Sequence, residues 1–292
     1  MLDEIHTYLL VKESEGRAAS TIYEYRLYLT AFHLYCPKPL SAITNIDIAG
    51  WIVAERKRGL ADASILARHR AIKIFLNWCV EYELLARSPL KMKSPKVRNQ
   101  IPRVASLASI QKLLSMPVDS WVGYRNRALV HILLDTGIRI GEALSLQVIH
   151  VNLDTRLALV PAQKDGEARP VPFTKHCAET ISDYLTHRPL CAWSRWLFLG
   201  SLHGDPVGKL TTGGARLMLK RFCRLAHVAY INPHSIRHLF ATKALNDGIR
   251  VEIVSRILGH ASVDLTLKIY AKLLTETMQR EYENLWRIST TS

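Results

Sequence analysis

Thr136-Gly137-Ile138-Arg139-Ile140-Gly141-Glu142-Ala143-Leu144 decides how this chain is read. Ahead of it, an apolar helical period over about residues 123–135 runs into Gly137, where a left-handed cap is expected. A second helix starts at Gly141 and runs to about Val148. Arg139 is therefore held in the turn between two helices, with Glu142 three residues on. Downstream come strand signals at Val151 to Leu153, at Leu157 to Val160, and at Arg169, Val171 and Phe173, which alternate around two prolines. Asp165-Gly166 is a hairpin turn dipeptide, and Lys164 stands beside it at the expected hairpin tip. Helical periodicity then returns over about residues 175–187, 211–228, 233–247, 250–258, 263–270 and 272–287.

Upstream the pattern is helical throughout. Ile22, Tyr25, Leu29 and Phe32 step by three or four, as do Ile72, Leu76 and Val80. Four helices are expected, at about 2–13, 18–35, 45–58 and 62–86, the last stopped by Ser88-Pro89. Between Glu83 and Asp119 there is no acid, while Arg87, Lys91, Lys93, Lys96, Arg98, Arg103 and Lys112 all fall there along with Pro89, Pro95 and Pro102. That segment reads either as a linker lying along phosphates or as a solvated loop. The expected organisation is a helical bundle over 1–88, a basic linker over 89–103, and a second domain over 104–292. It is mainly α, with one small antiparallel β-sheet. A length of 292 residues agrees with two domains, at roughly 150 residues each.

Lys and Arg number 39 against 25 acids, a net charge of +14, which favours a polyanionic partner, nucleic acid or an acidic membrane surface. No apolar run approaches the roughly 18 residues of a membrane span, and the first residues carry acids where a signal peptide carries bases. A cytoplasmic, nucleoid-associated location is expected. Five widely spaced cysteines, none in a Cys-x-x-Cys pair, read as reduced thiols without a zinc site. On the fourth helix Arg68, Arg70 and Lys73, and in the linker Lys91, Lys93 and Lys96, are the candidate DNA-binding cations.

Asn232-Pro233 reads as an N-cap followed by proline at the first helical position, which sets His234 and Arg237 on one face of the opening turn, with His238 one step round. Taken alone, His-x-x-Arg and Leu258-Gly259-His260 are weak signals. In order, however, stand Arg139 in its Thr-Gly-Ile-Arg motif, Lys164 before an Arg-Pro-Val-Pro strand, His234-Ser-Ile-Arg237-His238, Gly259-His260, and Ile269-Tyr270-Ala271. This set resembles the tyrosine recombinase (phage integrase) family over nearly the whole chain, in a Xer-like or Cre-like two-domain layout.

The resemblance implies a SAM-like core-binding domain followed by a catalytic domain of the DNA breaking-rejoining fold. It implies Arg139, Lys164, His234, Arg237, His260 and Tyr270 as catalytic residues, with Glu142 and His238 in support. Tyr270 would attack phosphorus to give a 3′-phosphotyrosine, Arg139 and Arg237 would neutralise the non-bridging oxygens, and Lys164 would protonate the departing 5′ oxygen. No cofactor, metal or ATP is implied. The implied partners are double-stranded DNA with paired inverted-repeat core sites, and three further copies of the chain in a homotetramer on two duplexes joined through a Holliday junction. The helix after Tyr270 would dock on a neighbouring subunit or pack on its own domain. Two other functions share these features: type IB topoisomerase-like relaxation of supercoils, and DNA binding without catalysis.

Overall fold

The computed structural model describes residues 1–96, 104–162, 167–259 and 262–263. It divides into two compact units, Met1–Ile101 and Pro102–Ser292. The fold is mainly α, with two small antiparallel sheets among the described residues.

The first unit is built from α1 (Leu2–Ser14), α2 (Ala19–Tyr35), α3 (Asn45–Lys57) and α4 (Asp62–Glu81). Tyr8 sits fully buried at its centre, its ring 5.4 Å from Phe75, 5.3 Å from Trp78 and 5.7 Å from Tyr25. Each such ring contributes roughly 1.5–3 kcal/mol by leaving water. Helix α3 starts in a reciprocal cap: the Asp47 amide donates to Thr44 Oγ1 at 3.3 Å, and the Thr44 amide to Asp47 Oδ2 at 2.9 Å. Lys38, 2.7 Å from Asp47, together with Thr44 draws that carboxyl down to about 2.

Helix α4 ends five residues before the sequence-based expectation. Glu83 adopts φ +57°, and the amides of Leu84 and Leu85 both turn back to the Cys79 carbonyl, at 2.8 and 3.1 Å. The chain terminates the helix by backbone capping well ahead of Ser88-Pro89. Past that proline, Asn45 Oδ1 accepts the amides of Lys91 and Met92 at 2.8 and 3.0 Å, while Leu90 and Met92 pack on the bundle core. The first residues of the expected linker are thus fastened to the helical unit. Arg98 and Arg103 lie outside the described residues.

The second unit opens with α5 (Leu107–Leu114), whose Ile110 and Leu113 are fully buried. It was not anticipated. Helix α6 (Trp121–Thr136), capped by Ser120, is buried along most of its length and closes on Gly137 at φ +60°. There follow α7 (Ile140–Ser145), shorter than expected, and a three-stranded sheet of β1 (Val151–Asn152), β2 (Leu157–Val160) and β3 (Arg169–Pro172). Its order is β1-β2-β3, with Val171 opposite Ala158 and Arg169 opposite Val160. Pro170 and Pro172 have no amide to donate, which suits β3 to its place at the edge.

Helix α8 (Lys175–His187) follows, and its cap residue Thr174 binds Asp135 of α6. A second sheet, β4 (Leu199–Leu202) with β5 (Asp205–Lys209), was also not anticipated; its turn uses His203 at φ +51° and Gly204 at φ +100°. Two α6 side chains hold it: Trp121 Nε1 donates to the Gly204 carbonyl at 2.8 Å, and Arg125 Nη1 to that of Leu199 at 2.7 Å. Helices α9 (Thr212–Leu225), α10 (Pro233–Asn246) and α11 (Val251–Leu258) complete the described unit, and Gly259 caps α11 at φ +65°. Among the described residues no helix is long and apolar enough to cross a membrane. All five cysteines are free, and four of them are buried.

Candidate active site

Arg139, Glu142, His234 and Arg237 meet at the C-terminal ends of α6 and α11. Gly137 and Gly259 make this possible in two ways. Both occupy the left-handed region, and neither has room for a side chain: a Cβ on Gly137 would stand 2.3 Å from Phe240 Cδ1, and one on Gly259 2.5 Å from Arg169 Cζ. The carbonyls they free from the helix ladders are then taken by arginines. Arg237 is buried, and donates through Nη1 to the Gly137 carbonyl and through Nη2 to that of Leu258, both at 2.9 Å. Arg139 donates through Nη1 to the Gly259 carbonyl at 3.4 Å, yet its side chain stays 48 % exposed. One guanidinium is locked inside the wall, and the other stands at the surface beside it.

Glu142 is the buried anion of the site. Its carboxylate accepts the Arg139 amide at 2.8 Å and Arg139 Nη1 at 3.2 Å, and on its other side the fork of Arg169 at 3.2 and 2.9 Å. Burial pushes its carboxyl up, but the Arg169 bonds, the Arg139 amide and the two cations outweigh it and hold the group below the usual range. The sequence alone marks Arg169 only as a strand residue. Its signal is the alternation of β3, which puts Arg169 on the same inward face as the buried Val171.

Asn232 caps α10 by accepting the His234 amide at 2.7 Å, with Pro233 in the first turn. His234 is exposed, and its ring meets that of His238 edge-on at 4.4 Å. Desolvation, then the Arg237 and Arg139 charges, lower the His234 pKa; His238, buried behind it, is brought down to about 4 by desolvation, His234 and Arg237. Both shifts favour the neutral imidazole. Lys164, His260 and Tyr270 lie outside the described residues, although the hairpin strands β2 and β3 and the cap before His260 are described.

In the first unit Arg70 and Lys73 are exposed on α4, and Lys91, Lys93 and Lys96 are exposed beyond it. Arg68 is different. Its Nε lies 2.7 Å from Glu55, and its guanidinium stacks 5.1 Å over the Tyr28 ring. Glu55, a buried acid that also takes Arg58 at 2.8 Å, needs that cation. Arg68, expected as a DNA contact, thus also serves an internal ion pair.

Two held guanidiniums and an imidazole around one turn define a protein that presents preorganised donors to an anion. Residues 105–277 match the phage integrase family. The chain is 27% identical to the tyrosine recombinase XerD of Ralstonia nicotianae, over 91% of this chain and 87% of that one. It is 29% identical to the tyrosine recombinase XerA of Pyrococcus furiosus, over 96% and 93%. Among solved structures, the Tn1549 transposon integrase in complex with a circular intermediate DNA shares the fold with a TM-score of 0.77 at 19% identity, covering 97% of this chain and 99% of that one. The chain belongs to the phage integrase family and is a tyrosine site-specific recombinase.

Proposed function

We propose that the chain cuts and rejoins DNA at specific sites through a covalent 3′-phosphotyrosine and a Holliday junction, with no metal or ATP. The observation that carries this reading is the convergence of Arg139 and Arg237, from different elements, on the Gly137, Leu258 and Gly259 carbonyls. A phosphodiester repels nucleophiles, and its transition state gathers negative charge on the non-bridging oxygens. Planar, permanently charged donors already held in place stabilise that charge without reorganising.

In this reading Tyr270 Oη forms a bond to phosphorus while the bond from phosphorus to the 5′ oxygen breaks. Lys164 supplies the proton to that oxygen. The phenolic proton passes to an imidazole, and a neutral His234 has the free lone pair to receive it, with His260 as its companion. The reverse sequence, with a 5′ hydroxyl from another strand, seals the DNA without an external energy source, because the phosphotyrosine conserves the bond. Arg70 and Lys73 on α4 and Lys91, Lys93 and Lys96 after it are the phosphate contacts of the helical unit, and His238 supports His234 from behind. The working assembly in this reading is a homotetramer holding two duplexes at paired inverted repeats, and the resemblance to a transposon integrase solved on DNA supports DNA as partner.

The test is adduct formation on a nicked duplex carrying the sequence that the full chain selects from a randomised pool. The native chain should leave a denaturant-resistant adduct and Tyr270→Phe none, while Arg139→Ala and Arg237→Ala should each slow it by about 100-fold or more. An adduct that persists in Tyr270→Phe would assign the nucleophile elsewhere.

A further inference from the structure

We infer that Arg169 is a positioning residue for Arg139: by saturating Glu142 from the far side, it keeps the Arg139 guanidinium available to the phosphate. The inference rests on the recombinase reading above.

Arg169 uses its donors in two directions. Nη1 and Nη2 fork onto the two oxygens of Glu142 at 3.2 and 2.9 Å, while Nε and Nη2 reach the Ile257 and Leu258 carbonyls at 3.0 and 3.2 Å. Its guanidinium lies against Gly259 in the space a Cβ would need. One side chain thereby ties β3, five residues after Lys164, to the Glu142 helix and to the cap that precedes His260. Arg139 rests on one of the same supports, the Glu142 carboxylate, and on the Gly259 carbonyl next to the Leu258 carbonyl that Arg169 holds.

The geometry of sharing decides the role. Glu142 is buried, so its charge must be matched within the protein. With Arg169 in place, Arg139 contributes one 3.2 Å contact from its guanidinium and remains half exposed. Without Arg169, the only other guanidinium bonded to Glu142 among the described residues is that of Arg139, and a bidentate pair between them turns the catalytic cation inward. A lysine at 169 keeps the charge but offers a single nitrogen. It cannot serve both carboxylate oxygens and both carbonyls.

The experiment compares the native chain with Arg169→Gln, Arg169→Lys and a double variant that combines Arg169→Gln with Glu142→Gln. Single-turnover adduct formation is measured on the selected nicked duplex at saturating protein, together with DNA affinity and a thermal melt. Arg169→Gln should cleave about 10- to 100-fold more slowly, the scale of a small misplacement of a catalytic group, with affinity within about threefold of native. Arg169→Lys should fall between. The double variant should cleave faster than Arg169→Gln, because a neutral carboxamide in place of the Glu142 carboxylate no longer captures the Arg139 guanidinium yet still accepts the Arg139 backbone amide. A double variant as slow as Arg169→Gln or slower would overturn the inference, as would native cleavage by Arg169→Gln. Loss of the native melt in both single variants would make Arg169 a folding residue and likewise overturn it. No adduct from the native chain would remove the recombinase reading itself, which the other outcomes leave standing.

Discussion

Replacing Gly137 with alanine separates the conformational demand of the α6 cap from its packing demand, because Gly248 supplies a matched control. Both glycines follow helices of the same unit at positive φ, +60° and +84°. Around Gly248 nothing lies within 4 Å of an added Cβ, whereas at Gly137 it meets Phe240 at 2.3 Å and Leu258 at 2.9 Å. The left-handed conformation costs an L-residue about 1–2 kcal/mol, and forcing a methyl into a filled site about 1–3 kcal/mol more. Gly248→Ala should therefore lose about 1–2 kcal/mol and Gly137→Ala about 2–5 kcal/mol.

In a unit of this size that corresponds to a fall in Tm of roughly 4–20 °C for Gly137→Ala. Because the chain has two units, urea unfolding is best followed by hydrogen exchange of peptides from residues 104–259, so that the helical unit does not contribute. Gly137→Ala should also slow cleavage, since its carbonyl holds Arg237, while Gly248→Ala should cleave at the native rate. Equal stability losses in the two variants would refute the packing argument. A native cleavage rate in Gly137→Ala would refute the link from the cap to Arg237.

His131 and His238 are both buried with pKa values brought down from 6.5 to about 4. The unfolded chain binds more protons between those values, so stability is full above pH 6.5 and falls as pH drops toward 4. His131→Gln should remove up to about 3 kcal/mol of that loss in acid melts, and an unchanged pH profile would contradict it. If Lys164 is the general acid, Lys164→Ala should be defective on ordinary DNA and recover when sulfur replaces the bridging 5′ oxygen. A thiol with a pKa of roughly 8.5 leaves as its anion, and Arg139→Ala should not recover. Rescue of neither would leave Lys164 a DNA contact. Neutralising Lys91, Lys93 and Lys96 together should flatten the slope of log affinity against log salt by about 2.7, equally for all sequences; an unchanged slope would remove them from the phosphates.

Local signals carried well where one residue type fixes one conformation. Gly137 and Asn232-Pro233 could be read as helix ends because nothing else in the chain needs to agree. The α4 end was misplaced because proline marks the furthest point a helix can reach, whereas the Glu83 turn and its bonds to Cys79 stop it earlier. The β4–β5 hairpin was missed for a different reason. Leu-Gly-Ser-Leu and Asp-Pro-Val-Gly-Lys carry glycines and a proline that argue against strands, and the hairpin is held by Trp121 and Arg125, which lie far away in the sequence. Long-range pairing also accounts for the side chains. The sequence shows Arg68 as a cation on a basic helix, but only folding brings Glu55 against it, and Arg169 becomes part of the site only when β3 meets α7 and α11.

The partners chosen for the site arginines have one more consequence. Arg237 leans on the carboxyl-terminal ends of α6 and α11, and Arg139 on the cap of α11, where each helix presents only a fraction of an electron, roughly half, in its terminal carbonyls. Carboxylates in the same places would aim the guanidiniums equally well and cancel them. With Glu142 as the one full negative charge bonded to Arg139 and Arg169 among the described residues, that trio stays cationic. In the proposed reading, that unspent positive charge is what an incoming phosphodiester meets.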